Sequence, residues 1–144
     1  MAVRTGRRNW ARIPVLFGAL TAVVALCACG APQTRQDGAS RAGRAFGEAL
    51  ASGAYGAACA LLAPESREQL EEDEKRPCER ALPSQDLPRG EGASSVDVYG
   101  RQALLQVGYE TLFLSQFDDG WRVTAAGCVP EGGDDPYRCA LKGA

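Results

Sequence analysis

Four patterns of apolar and polar residues follow one another along the chain. Residues 13–26 form an uncharged, apolar run. Residues 30–38 show no apolar periodicity, which is typical of a flexible tether. From Ser40 the apolar residues recur at helical spacing, and from Ser95 they alternate with polar residues. This order predicts an export or membrane segment, a tether, a helical part and a sheet.

Three helices and a short turn are predicted in the helical part. The first helix carries Phe46 and Leu50 on one face and ends near Gly53. The second spans residues 55–62. The third spans residues 64–75 and begins with a proline, which is favoured in the first turn of a helix.

Four antiparallel strands are predicted in the second half of the chain. Asp118-Asp119-Gly120 is a strong hairpin signal between the last two strands. Helices followed by an antiparallel meander indicate an α+β fold, with the N-terminal helices packed on one face of a curled sheet. The predicted strands are residues 95–99, 103–107, 109–117 and 121–125.

Two stretches resemble the nuclear transport factor 2-like superfamily, which has a cystatin-like roll. Residues 117–123 resemble its closing hairpin, in which Asp-Gly leads into a Trp-x-Val strand. Residues 49–55 are similar to the helix–Gly–Ala–Tyr–helix passage near its start. The resemblance covers most of residues 39–126 and implies a roll, but it specifies no activity. Isomerases and cyclases of this superfamily use carboxylate bases in the cavity of the roll.

The N-terminus has the layout of a signal peptide, with four arginines before the apolar run. The run is shorter than the roughly 17–25 residues that cross a bilayer. Leu26-Cys27-Ala28-Cys29 resembles the bacterial lipobox, and Cys29 fits it better than Cys27 does. The resemblance implies a diacylglyceryl group on the Cys29 thiol, cleavage before that residue and anchoring at the outer face of the membrane.

Two alternatives for this segment stay open. One is an ordinary signal peptide cut near Ala25 or Ala28 without a lipid. The other concerns the export route, because Arg7-Arg8 is a weak match to a twin-arginine signal.

The whole mature chain also resembles a group of small actinobacterial lipoproteins of no assigned activity.

The charge of the mature chain limits its partners. Removing residues 1–28 takes away four arginines and no acid, so the 16 basic residues fall to 12 against 18 acidic ones, a net charge of −6. This negative charge argues against nucleic acid as a partner and against broad docking on anionic lipid headgroups. Acyl chains on Cys29 are therefore the predicted membrane link.

Four cysteines remain once Cys27 leaves with the signal and Cys29 is acylated. In an exported domain this even number predicts two disulfides, which could form in three ways. We favour Cys59–Cys78 and Cys128–Cys139, because the partners are close in the chain and bracket turn-forming residues. A zinc site is disfavoured, since the sequence has no C-x-x-C pair and no histidine.

Few residues are candidates for catalysis. The absence of histidine excludes a Ser-His-Asp triad and a Cys-His pair as catalytic groups. Asp97 alternates with two valines and is predicted to face solvent, whereas the pattern does not decide where Glu110 points. The acids of residues 68–74 and 131–135 are predicted to be a solvated helix face and a polar, disulfide-closed loop, rather than calcium sites. Trp121 is predicted to lie in the core.

The sequence supports two hypotheses of function. The first is a non-catalytic module, without metal or cofactor, that binds a small apolar ligand or a cell-envelope protein. The alternative is a small-molecule isomerase or cyclase that uses a carboxylate in the roll. The predicted organisation is a signal peptide (1–28), a lipidated tether (29–38) and a roll domain (39–144).

Overall fold

The described part of the fold is α+β, with four helices followed by a six-stranded antiparallel sheet that does not close. The structure is a computed structural model and describes residues 32–89, 94–133 and 136–143. The predicted signal peptide and Cys29 lie outside these residues. No helix within the described ranges is long and apolar enough to span a bilayer. The helices are α1 (Gln33–Ala51), α2 (Tyr55–Leu61), α3 (Pro64–Glu74) and α4 (Cys78–Ala81), followed by a 3₁₀ turn (Leu82–Gln85).

Helix α1 begins earlier than the sequence pattern predicts. Residues 33–38 were expected to belong to the tether, but they form the first turns of α1. The reason is tertiary contact: the Arg35 guanidinium donates to Gln116 Oε1 at 2.9 Å and to the Gly100 carbonyl. Most helical stability in proteins comes from such packing, which a local pattern does not reveal.

The middle of α1 packs on the sheet at very short range. Phe46 and Leu50 are buried, as predicted. Gly43 lies so close to Leu105 that a Cβ there would overlap the Leu105 Cδ2 methyl. The space between α1 and the sheet is therefore occupied by core side chains. The largest fully buried ones include Phe46, Leu105, Leu114 and Val123.

Helices α2 to α4 form a compact cluster beside α1. The boundaries of α2 and α3 agree with the predicted helices to within one residue. The Cys59–Cys78 disulfide joins α2 to the first residue of α4, so this predicted pairing is confirmed. The Ala63 amide donates to the Val123 carbonyl at 2.8 Å and ties the α2–α3 junction to the sheet.

The sheet has the order β1-β2-β3-β4-β5, and β6 also pairs with β4. All pairs are antiparallel. The register opposes Val98 to Ala103 and Leu114 to Val123, so the valines and leucines of alternate positions face α1. The strands are β1 (Ser94–Tyr99), β2 (Gln102–Val107), β3 (Glu110–Phe117), β4 (Gly120–Pro130), β5 (Tyr137–Arg138) and β6 (Leu141–Lys142).

Strand β4 is longer than predicted, and two short strands follow it. The sequence pattern predicts that this strand ends at Ala125. In the structure Gly127 adopts φ +64°, a conformation that glycine takes without strain, and the register shifts nearby. The bulged strand thus continues to Pro130 and supports a C-terminal hairpin. The Cys128–Cys139 disulfide closes that hairpin and confirms the second predicted pairing.

Candidate functional site

A cleft of about 380 Å³ lies between α3, the 3₁₀ turn and β6. We call it the α3–β6 cleft. Leu70 and Leu141 lie at its base and are almost fully buried. Its volume is in the range of small-molecule sites, and a few polar groups over an apolar base are typical of such sites. The polar side chains along it are Gln69, Asp73, Gln85 and Lys142.

The two walls of the α3–β6 cleft are held by hydrogen bonds to β4. The Ser66 hydroxyl on α3 donates to the Thr124 carbonyl at 2.7 Å. The Gly143 amide donates to the same carbonyl at 3.2 Å, and the Ala140 amide donates to Gly127 at 3.3 Å. Cys139, a lining residue, is fixed by its disulfide. The cleft is therefore formed by walls that are already tied to the sheet.

The α3–β6 cleft is lined by a carboxylate, an ammonium group and neutral side-chain amides. Asp73 supplies a carboxylate, and it already accepts a 2.9 Å hydrogen bond from the Gln69 amide. Gln85 donates to Glu74 at 2.9 Å, which orients its side chain. Lys142 supplies an ammonium group. A small polar molecule that carries both donors and acceptors matches this lining better than a hydrocarbon does.

Two other clefts are weaker candidates for a binding site. A groove of about 390 Å³ is lined by Asp37, Arg41 and Glu48 among others, but its described lining residues all belong to α1 and form one wall. A small cleft of about 70 Å³ lies among the end of α1, the start of α2, the 3₁₀ turn and the segment after it. The groove on α1 has a single wall, and the small cleft is well below the roughly 300 Å³ at which small-molecule sites begin.

Glu110 is the one carboxyl that is buried among residues 32–89, 94–133 and 136–143. It opens β3 directly opposite Val107, across the turn of Gly108 and Tyr109. Its side chain is on the same face as Leu112 and is 7% exposed. Burial raises the pKa of Glu110 to about 7, because an apolar environment disfavours the charged form. Asp97, by contrast, is exposed, as its alternation with valines predicted.

The acidic run of α3 is not a uniform solvated face. Glu68, Glu72 and Asp73 are exposed, as predicted. Glu71, however, accepts a hydrogen bond from the Cys78 amide at 2.9 Å and one from Arg67 at 3.2 Å, and both hold its pKa below the usual value. Glu74 accepts from Arg76 at 2.6 Å as well as from Gln85, and these bonds lower its pKa too.

Glu71 and Glu74 therefore link α3 to α4 and the 3₁₀ turn. The sequence does not reveal these roles, because the donors belong to other elements of the fold. Within the described ranges no group of three acidic, cysteine or histidine side chains could hold a metal ion. Of the loop at 131–135, the structure describes Glu131 to Gly133, and Glu131 forms an ion pair with Arg138 at 3.4 Å.

The structure brings together some of the predicted site residues and leaves others untested. Both disulfide pairs form, and Trp121 is buried against Gly38, as predicted for a core residue. Cys29 lies outside the described residues, so its acylation stays a prediction. The α3–β6 cleft was not predicted, because its β6 wall is built around a strand of two residues, which is too short to show an alternating pattern.

Comparison of the chain with protein-family models, curated proteins and solved structures found no match. The α+β arrangement with an antiparallel sheet is loosely compatible with a cystatin-like roll.

Proposed function

We propose that this protein is an exported, lipid-anchored, non-catalytic module that binds a small polar ligand in the α3–β6 cleft. The observation that carries the proposal is the lining of that cleft: Asp73, Lys142 and two glutamine amides above a base of Leu70 and Leu141. The hypothesis of an apolar ligand inside the roll has less support, since core side chains fill the described space between α1 and the sheet.

The ligand class follows from the charges. A carboxylate and an ammonium in one cleft complement a molecule that carries both an amine and a carboxylate, such as an amino acid or a short peptide. The buried leucines provide an apolar surface for its side chain. The two disulfides suit an exported protein, because disulfides persist in oxidising compartments.

A ligand screen by thermal unfolding tests the binding proposal. The full chain is incubated with amino acids, dipeptides, sugars, nucleosides and carboxylic acids. A ligand that binds only the folded state raises the midpoint of unfolding with concentration. We expect the rise with amino acids or dipeptides, and its loss in Asp73→Asn and Lys142→Gln. The matched control is Asp97→Asn, at an exposed carboxylate on β1.

The result that contradicts the binding proposal is a ligand whose effect survives both changes in the cleft. An effect of sugars or nucleosides that disappears in Asp73→Asn would keep the cleft as the site but change the ligand class.

Anchoring is tested separately by metabolic labelling with a clickable fatty acid such as a palmitate analogue. The lipobox resemblance predicts label on the wild-type chain and none on Cys29→Ala. Label that persists in Cys29→Ala and disappears in Cys27→Ala would overturn the assignment of the lipidated residue.

A second candidate function rests on Glu110. A buried carboxyl with a pKa near 7 could act as a general base at neutral pH, as in the isomerases and cyclases of the superfamily that the sequence resembles. None of the three clefts described above includes Glu110. We therefore place this candidate second. Turnover of an enolisable ketone that is lost in Glu110→Gln would reverse the order.

A further inference from the structure

We propose that one end of the domain rests on the lipid headgroups of the membrane that holds its anchor, with Tyr99 and Arg101 in the headgroup layer. We call this end the anchor end; it consists of the start of α1, the β1–β2 turn and the β3–β4 turn. The inference builds on the proposed acylation of Cys29, and it adds an orientation and a contact surface to the anchored domain.

Hydrogen bonds hold the three parts of the anchor end together. Arg35, in the first turn of α1, donates to the Gly100 carbonyl and to Gln116 Oε1. Arg101 donates to the Gln116 carbonyl at 2.6 Å through its Nη2 atom, and it forms an ion pair with Asp118 at 3.5 Å. The first turn of α1 therefore has a fixed position relative to both turns of the sheet.

The link to the acylated residue is short. Three residues separate Cys29 from Gln33, the first residue of α1. Four Cα–Cα steps span at most about 14 Å, whatever their conformation. The headgroup layer on one side of a bilayer is roughly 5–8 Å thick. Since the start of α1 is fixed to the sheet, the acyl chains hold the whole anchor end within reach of the headgroups.

The side chains exposed at the anchor end suit that layer. Tyr99, the last residue of β1, is 69% exposed, so its ring is free to enter that layer. Tyrosine is enriched at membrane interfaces, where its ring is partly in the apolar layer and its hydroxyl is hydrated. The Arg101 side chain is 64% exposed, so its guanidinium can reach a lipid phosphate.

The charges of the anchor end differ from those of the whole chain. The mature chain has a net charge of −6, which disfavours docking through its average surface. The segments that define the anchor end carry two arginines and three aspartates, a net charge of −1, so an anionic membrane repels them less than it repels the rest of the chain. They are Arg35 and Arg101 against Asp37, Asp118 and Asp119, and Asp119 is paired at 2.6 Å with Arg122 of β4.

Photo-crosslinking in cells that process lipoproteins tests the orientation. In the full chain, Tyr99 or Tyr109 is replaced by p-benzoylphenylalanine. Tyr109 is the matched control, because it is 83% exposed in the β2–β3 turn at the opposite end of the sheet. After irradiation, lipid adducts are measured by mass spectrometry, and Cys29 acylation is measured in the same samples. We expect at least a fivefold excess of lipid adducts at position 99.

The outcomes separate this inference from the proposed anchoring. Acylated Cys29 with equal adducts at positions 99 and 109 would overturn the docking and leave the anchoring intact. Absence of acyl chains on Cys29 would overturn both. A flexible insertion of twelve Gly and Ser residues before Gln33 should reduce the excess at position 99, and an unchanged excess would contradict the role of the short link.

Discussion

Gly43 of α1 and Leu105 of β2 are in close contact where α1 packs on the sheet. A Cβ on residue 43 would overlap the Leu105 Cδ2 methyl, and Leu105 is completely buried, so the methyl has no free space to move into. Protein interiors are packed as densely as organic crystals, and a single added carbon in such a place is costly.

The first prediction follows from this contact. Gly43→Ala should lower the free energy of unfolding by up to about 2 kcal/mol, because the overlap with a buried methyl places the overpacking cost toward the upper end of roughly 1–3 kcal/mol, against a gain in helix propensity of about 1 kcal/mol. Urea unfolding measures it. Gly56→Ala is the control: the added Cβ would be 3.1 Å from the carboxylate oxygen of Glu79, an exposed side chain that can move. Equal loss in both variants would contradict the prediction.

The second prediction concerns Trp121, which is 7% exposed and packs on Gly38. Trp121→Ala should destabilise the domain by about 3–5 kcal/mol, the usual cost of emptying a large aromatic core site. Thermal or urea unfolding of the full chain measures the loss. Tyr99→Ala, at an exposed aromatic residue, should change stability by about 0.5 kcal/mol or less. A small effect of Trp121→Ala together with loss of ligand binding would show that this residue has a role in binding.

The third prediction concerns the disulfides. Removing Cys59–Cys78 by a double change to alanine should cost about 3 kcal/mol in the chain-entropy model, given a sequence separation of 19 residues. Removing Cys128–Cys139, with a separation of 11, should cost slightly less. Non-reducing peptide mapping provides the direct check, and a peptide that joins Cys59 to Cys128 or Cys139 would disprove the pairing.

The fourth prediction concerns the pH dependence of stability. The folded-state pKa of Glu110 is about 7 against an ordinary value of 4.5, so the folded state holds this proton more tightly. Stability from this group is present in full below pH 4.5 and is lost as the pH rises through 7. The loss is about 3 kcal/mol, since one pKa unit corresponds to about 1.4 kcal/mol.

Glu110→Gln should remove this dependence between pH 4.5 and 7, because glutamine has a similar shape and does not titrate. Urea unfolding at a series of pH values measures it. Glu72→Gln, at an exposed glutamate of α3, should retain the wild-type slope. A slope that is unchanged in Glu110→Gln would show that the carboxyl titrates normally.

Much of the fold follows from local patterns, and the exceptions have a common physical cause. The helices α2 and α3 and the first three strands are set by apolar spacing and by strong turn signals, so the sequence predicts them well. Asp97 was assigned correctly because Val96 and Val98 fix the two faces of β1. Glu110 could not be assigned to a face of the sheet, because it directly follows a turn. The alternation of apolar and polar residues before a turn does not fix which face the residues after it point to.

The candidate site was harder to predict than the fold. Glu71 and Glu74 belong to an acidic run that looks uniform, yet their partners are Cys78 and Gln85 on later elements. The start of α1 is likewise fixed by Gln116, 81 residues away from Arg35. Contacts of this kind depend on tertiary structure, and no local pattern contains them.

Strand β4 has a consequence for the order in which the molecule can form. It pairs with β3 on one side and with β5 and β6 on the other, and its Val123 and Thr124 carbonyls accept bonds from the helical part and the C-terminal segment. Chains leave the ribosome and cross membranes with the N-terminus first. Helix α1 therefore cannot pack on its complete sheet until more than 70 further residues have emerged, since α1 ends at Ala51 and β4 ends at Pro130. The domain is then completed in a late step that brings distant parts of the chain together.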